Sequence, residues 1–154
     1  MVLRRRAMMK KVANRPAVVV PITWSGSGAD KTSSIIDATN GAVYFSLPFI
    51  SGDSRLVSTA TAESEGIKWR KAALYSDVNA TTLVGYYDHV SNTVVSTRGT
   101  TVNSPFLHFN TEVKMAPKGY YVQLMLSRSG SAAFSSNANL GTYLNAYGTQ
   151  ATLK

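Results

Sequence analysis

The chain has 154 residues, with 16 Lys and Arg against 8 Asp and Glu, two histidines and no cysteine. That length is one domain's worth and lets roughly 70% of the unfolded surface be buried, while the missing cysteines exclude a disulfide framework, thiolate metal clusters and cysteine nucleophiles. His89 and His108 alone give little with which to build a His-rich metal centre, and no apolar run approaches the ~20 residues of a membrane helix.

Arg4, Arg5, Arg6, Lys10, Lys11 and Arg15 fall within the first fifteen residues, with no acid among them. Met8 and Met9 sit between Arg6 and Lys10, so no apolar signal-peptide core forms. From Pro16 onward ten basic residues face eight acids. Residues 1–16 therefore read as a basic nucleic-acid-binding arm, disordered or extended, on a nearly neutral domain over 17–154. Blocks of like charge repel, stay extended and bind polyanions or anionic surfaces. The plainer roles are a solubilising tail or a localisation signal.

The remainder predicts an all-β domain, rich in Val, Tyr, Ser and Thr and broken at short intervals by Gly, Asn and Ser. Val18, Val20, Ile22 and Trp24 share one face of an extended segment that ends at Ser25-Gly26-Ser27-Gly28. Val43, Phe45, Leu47 and Phe49 repeat the two-residue period until Ser51-Gly52-Asp53 stops it. The single helical expectation is Ser54 to Glu63, with Asp53 or Ser54 as N-cap and Gly66 after it. Next comes Ile67 to Lys71, in which strand alternation puts Ile67, Trp69 and Lys71 on one face and Lys68 and Arg70 on the other. Leu107, Phe109, Thr111, Val113 and Met115 alternate with polar residues as one half-buried strand. Ala116-Pro117-Lys118-Gly119 turns the chain into a strand from Tyr120 to Leu126. After the Ser/Asn/Gly-rich stretch 127–141, a last strand is expected from about Thr142 to Thr152. About eight strands and one short helix suit a sandwich or jelly roll.

Catalytic chemistry is scarce. No phosphate-cradling or dinucleotide-binding glycine loop is present. Gly26-Ser27-Gly28 lacks the glycine two residues before the serine and the α/β setting of a nucleophile elbow. Asp88 and His89 are neighbours on a strand and point to opposite faces, which suits a satisfied surface pair rather than a base and its orienting group. Glu63 and Glu65 flank a helix end and read as solvated acids rather than an acid–base pair. The chain is not expected to be an enzyme and no catalytic residue is assigned. Binding chemistry is richer: Lys68, Arg70 and Lys71 surround Trp69, giving phosphate contacts with an aromatic that either stacks bases or fills the core. The tyrosines could stack bases too, but sheet packing explains most of them. Asn79-Ala80-Thr81 matches a glycosylation sequon without a signal peptide to give it meaning.

The run Gly66-Ile67-Lys68-Trp69-Arg70-Lys71-Ala72-Ala73-Leu74-Tyr75, followed by Thr81-Thr82-Leu83-Val84-Gly85-Tyr86-Tyr87, resembles adjacent C and D strands in coat-protein shell domains of small icosahedral plant RNA viruses, the tombusvirus and sobemovirus type. The helix expected at Ser54 to Glu63 stands where that family has one. Gly119 to Leu124 and then Asn139 to Tyr147 resemble the last two strands of the same shell. The resemblance spans about 100 residues in order. It implies an eight-stranded single jelly roll that self-assembles into an icosahedral (T=1) homo-oligomeric capsid around single-stranded RNA, with the basic arm inward and no membrane partner. Localisation would be the virion, assembled in the host-cell cytoplasm. The long N-terminal domains and projecting C-terminal domains of larger relatives have no counterpart here, so the chain is most similar to a minimal, satellite-virus coat protein. The family often holds calcium at subunit interfaces through spaced aspartates. Asp88 is the one candidate metal ligand and no second aspartate is near it, so no cofactor is expected. A β-barrel single-stranded nucleic-acid-binding protein that forms no shell is the alternative, and a sugar-binding jelly roll is a further one.

Overall fold

A computed structural model of the protein describes residues 16–57, 66–96, 101–128 and 133–154. In chain order these form β1 (Val18–Pro21), β2 (Trp24–Ser25), β3 (Asp30–Ser33), β4 (Ile36–Ala38), β5 (Val43–Phe45), β6 (Gly66–Tyr75), β7 (Leu83–Asp88), β8 (Thr93–Val95), β9 (Phe106–His108), β10 (Val113–Ala116), β11 (Tyr120–Ser127), a helix α1 (Asn137–Tyr147) and β12 (Gln150–Leu153). The strands make two antiparallel sheets. The small one runs β1-β12-β5-β10, and the large one β2-β3-β11-β6-β7-β8, with β4 also beside β11 and β9 also beside β6. Both sheets feed one cluster of buried side chains: Val43, Phe45 and Met115 from the small sheet meet Ile67, Leu74 and Leu124 from the large one. The described residues are therefore all-β around a single core, with one short helix.

Four sequence expectations change. Val18 to Trp24 is not one strand: β1 lies in the small sheet, and the chain crosses after Pro21 to restart as β2 in the large sheet. Ile22 and Trp24 are buried, whereas Val18 and Val19 are exposed at the edge of the small sheet. Leu107 to Met115 also divides. Asn110 takes a left-handed φ of 60°, its N–H donates to Leu47 O (2.7 Å), and its side chain accepts from Phe49 N (3.2 Å). These bonds turn the chain from β9, on the large sheet, to β10, on the small one. Short polar side chains such as Asn hold that backbone at little cost.

The stretch from Thr142 to Tyr147 is helix, not strand. Leu140, Tyr143 and Leu144 are buried at the spacing of a helix face, the Ser136 side chain caps the start by accepting from Asn139 N, and the Gly148 N–H closes the end on Leu144 O. The last strand is only Gln150–Leu153. Finally, the expected helix at Ser54 begins as a turn. Asp53 accepts from Arg55 N (2.9 Å), and Leu56 bridges to Phe134 instead of entering a helix. The rest of that segment lies outside the described residues, as do Glu63 and Glu65. β6 and β7 are paired, but five strands precede them, so they do not stand where C and D strands would.

Candidate nucleic-acid interface

Arg4, Arg5, Arg6, Lys10, Lys11 and Arg15 lie outside the described residues, so the structure bears on the second basic cluster alone. Strand β6 carries it. Its register against β11 skips a residue: Trp69 faces Leu126 and Lys71 faces Met125, leaving Arg70 as the extra residue of a bulge. The bulge resets the alternation. Ile67 and Trp69 point inward, and so do Ala72 and Leu74, whereas Lys68 and Lys71 come to the outer face. The expectation that Lys71 shares a face with Trp69 is thus corrected, because one inserted residue inverts every position after it.

Trp69 is 3% exposed. It is a core residue and presents no ring for stacking. Its neighbours on the outer face supply one instead. Lys68 pairs in register with Phe106 of β9, and Gly66 pairs with His108. Residues directly opposite each other on antiparallel strands share a face, so Lys68, Phe106 and His108 stand together on the solvent side. All three are exposed, Phe106 at 52%. The Phe106 and His108 rings lie side by side, centroids 6.4 Å apart and tilted by 42°. Farther along, the Lys71 ammonium sits 4.2 Å over the ring of Tyr86. The strand expected from the alternation starts at Leu107 and leaves Phe106 outside it. The signal was there: if Leu107 faces the core, an aromatic at 106 must face water.

Asp88 and His89 are not a surface pair. Asp88 is 3% exposed. One carboxylate oxygen accepts from Val90 N (3.0 Å) and Ser91 N (2.9 Å), the other from Asn103 N and Asn103 Nδ2 (both 3.0 Å). These N–H donors hold its pKa down, to about 2. Asp88 therefore clamps the loop after β7 to residue 103, with both oxygens occupied. Among the described residues no group of three or more His, Asp or Glu is placed to hold a metal. His89 is half-buried, its Nε2 lies 2.9 Å from Lys114 O, and burial pushes its pKa down. That contact makes Nε2 the protonated nitrogen and leaves the buried Nδ1 without a partner.

Two features that composition could not announce are structural. Lys31 is buried, and its ammonium donates to Gly26 O and Gly28 O (3.0 Å each), so the Ser-Gly-Ser-Gly run is a carbonyl cradle and not a nucleophile site. Arg55 grips Asp53 with two parallel bonds (2.9 and 2.6 Å) and lies over the rings of Tyr147 and Tyr143, tying the 53–55 turn to α1. Two clefts, of about 370 Å³ beside Phe49 to Val57 and about 390 Å³ between Val18, Val20 and Leu153, contain neither histidine nor cysteine. Comparison with protein families, curated proteins and solved structures gave no match.

Proposed function

We propose that the chain is a structural shell protein, many copies of which close into an icosahedral particle around single-stranded RNA held by the basic segment before β1. Strand order carries the proposal. With β3 and β4 counted as one interrupted strand beside β11, and β2 as a short edge addition paired to β3, the eight principal strands are ordered first-eighth-third-sixth in the small sheet and second-seventh-fourth-fifth in the large one. Such an order is expected of a single jelly roll, two Greek keys rolled together, a fold common in viral capsids. β8 and β9 are then short additions beside the fifth and fourth strands.

Charge distribution supports the second half of the proposal. Six cations in fifteen residues precede a domain that is nearly neutral. If about sixty copies enclose a particle, roughly 360 positive charges face a comparable number of phosphates, and counterion release drives their union without regard to sequence.

Size-exclusion chromatography and negative-stain microscopy of the purified full chain test this. Particles of megadalton mass containing RNA are the expected result. A species of about 17 to about 70 kDa, one to four copies of the 16.6-kDa chain, overturns it and returns the weight to a single-stranded nucleic-acid-binding module.

A further inference from the structure

We propose that Phe106, flanked by Lys68 and His108, is a stacking platform for an unpaired nucleobase, so that the β domain itself grips single-stranded nucleic acid. This rests on the packaging role above and adds to it a site outside the basic segment. Single exposed apolar residues are ordinary. Here three observations converge on one.

First, the floor is open. Gly66 lies opposite His108, and a Cβ at that position would come within 3.4 Å of Phe106 Cδ1 and 3.5 Å of His108 Nδ1. Those distances place both rings over the Gly66 position of β6, where no side chain of that strand stands between them. Second, the charge fits. Lys68 stands directly across from Phe106, where its ammonium can meet the phosphate of a nucleotide whose base covers the ring. The acid next in register on that row is Asp30, two strands away across Ser127, or about 10 Å. Third, the ring is presented: Phe106 is 52% exposed, and among the described residues β9 pairs only with β6. Phe106 presents its face at low entropic cost, having only two side-chain torsions to fix. Every base has a π-face, so such a platform tolerates any sequence, which packaging requires.

The experiment compares two probes on unassembled full-length chain at fixed salt of about 0.2 M: a single-stranded oligouridine of about twelve nucleotides and an abasic strand of equal length. Both offer the same phosphates, and only one offers bases. The oligouridine should bind roughly 5- to 100-fold tighter. Phe106→Ala should bring the two within about twofold while leaving the melting temperature unchanged, and Phe106→Trp should keep the gap. Equal binding of both strands by the unaltered protein overturns the proposal without any variant, as does a gap that survives Phe106→Ala. A Phe106→Ala protein that loses particle yield but keeps the gap marks the patch as a contact between copies, also overturning it. Absence of particles with the gap intact would instead sink the shell and leave the platform standing.

Discussion

Trp69 lies on the inner face of the large sheet, 3% exposed, its ring edge-on to His89 at 6.3 Å and its indole N–H without an acceptor. Trp69→Ala should cost about 3–5 kcal/mol, a large part of the roughly 5–15 kcal/mol of a typical domain. The variant is expected to be unfolded or insoluble by circular dichroism, and a soluble protein with normal melting would remove Trp69 from the core. Trp69→Phe should cost less, because it also deletes an unsatisfied donor. His89 gives a pH prediction. Burial lowers its pKa below 6.5 in the folded chain, so the unfolded chain takes up the proton first. Its contribution is complete above 6.5 and is lost as pH falls from there through the lower folded value. Urea midpoints from about pH 8 to about pH 5 should therefore decline, and His89→Gln should flatten that limb. Asp88 gives a separate acid limb: its pKa of about 2 lies below the ordinary 3.8, so its share is present above 3.8 and disappears towards 2. The burial of Trp69 and the exposure of Lys68 were legible from alternation alone. The face of Lys71 was not, because no residue type announces the bulge at Arg70.

Helix α1 shows how an element can be misread when three successive residues argue against it. Leu140, Tyr143, Leu144 and Tyr147 follow the i, i+3, i+4, i+7 helix spacing, and Ser136 is a good N-cap, so the signal was present. Gly141 and the β-favouring Thr142 and Tyr143 obscured it. Gly141 has a tertiary reason: a Cβ there would approach Lys31 Cε to 3.2 Å and Nζ to 3.5 Å, where the buried lysine passes to its carbonyl cradle. In an exposed helix Gly→Ala gains about 1 kcal/mol. Gly141→Ala should show none of that gain in thermal melts, and it should return when Lys31→Ala, which removes the obstructing Cε, accompanies it. Equal effects in both backgrounds would mean that Lys31 does not govern the position. The break at Asn110 has the opposite history. Perfect alternation from Leu107 to Met115 suggested one strand, and only a left-handed Asn sends the second half to the other sheet.

At the scale of the whole molecule, net charge and fold separate. The basic segment holds six of the sixteen cations and no acid, so like-charge repulsion opposes its packing, and deleting Met1 to Asn14 should leave the melting temperature within a few degrees and sharply lower co-purified nucleic acid. A large thermal loss in unassembled subunits would show that the segment belongs to the folded body. With about −0.7 per phosphate on single strands, six contacts give a log–log salt slope near −4, or roughly 300-fold weaker binding between about 50 and about 200 mM salt. Arg4→Ala or Lys10→Ala should each reduce the slope by about 0.7 for every sequence alike, as titrations with two unrelated oligonucleotides would read. A slope near zero would move the affinity onto the β domain. The all-β class and the basic segment were legible because composition and charge are sums over many residues. The pairing of strands distant in sequence was not, because no local pattern encodes which edges meet.

One such pairing governs when the fold can exist. β12 lies between β1 and β5, joining Val18 to Leu153 on one side and Val43 to Leu153 on the other. During synthesis, at about 5–20 residues per second, β1 and β5 wait several seconds to about half a minute for the strand that unites them. Until Gln150–Leu153 is made, each offers a bare row of amides and carbonyls flanked by valines, a template for any stray strand. A growing chain therefore cannot complete its small sheet early, and nascent molecules crowded on one message are exposed to mispairing until Gln150–Leu153 emerges.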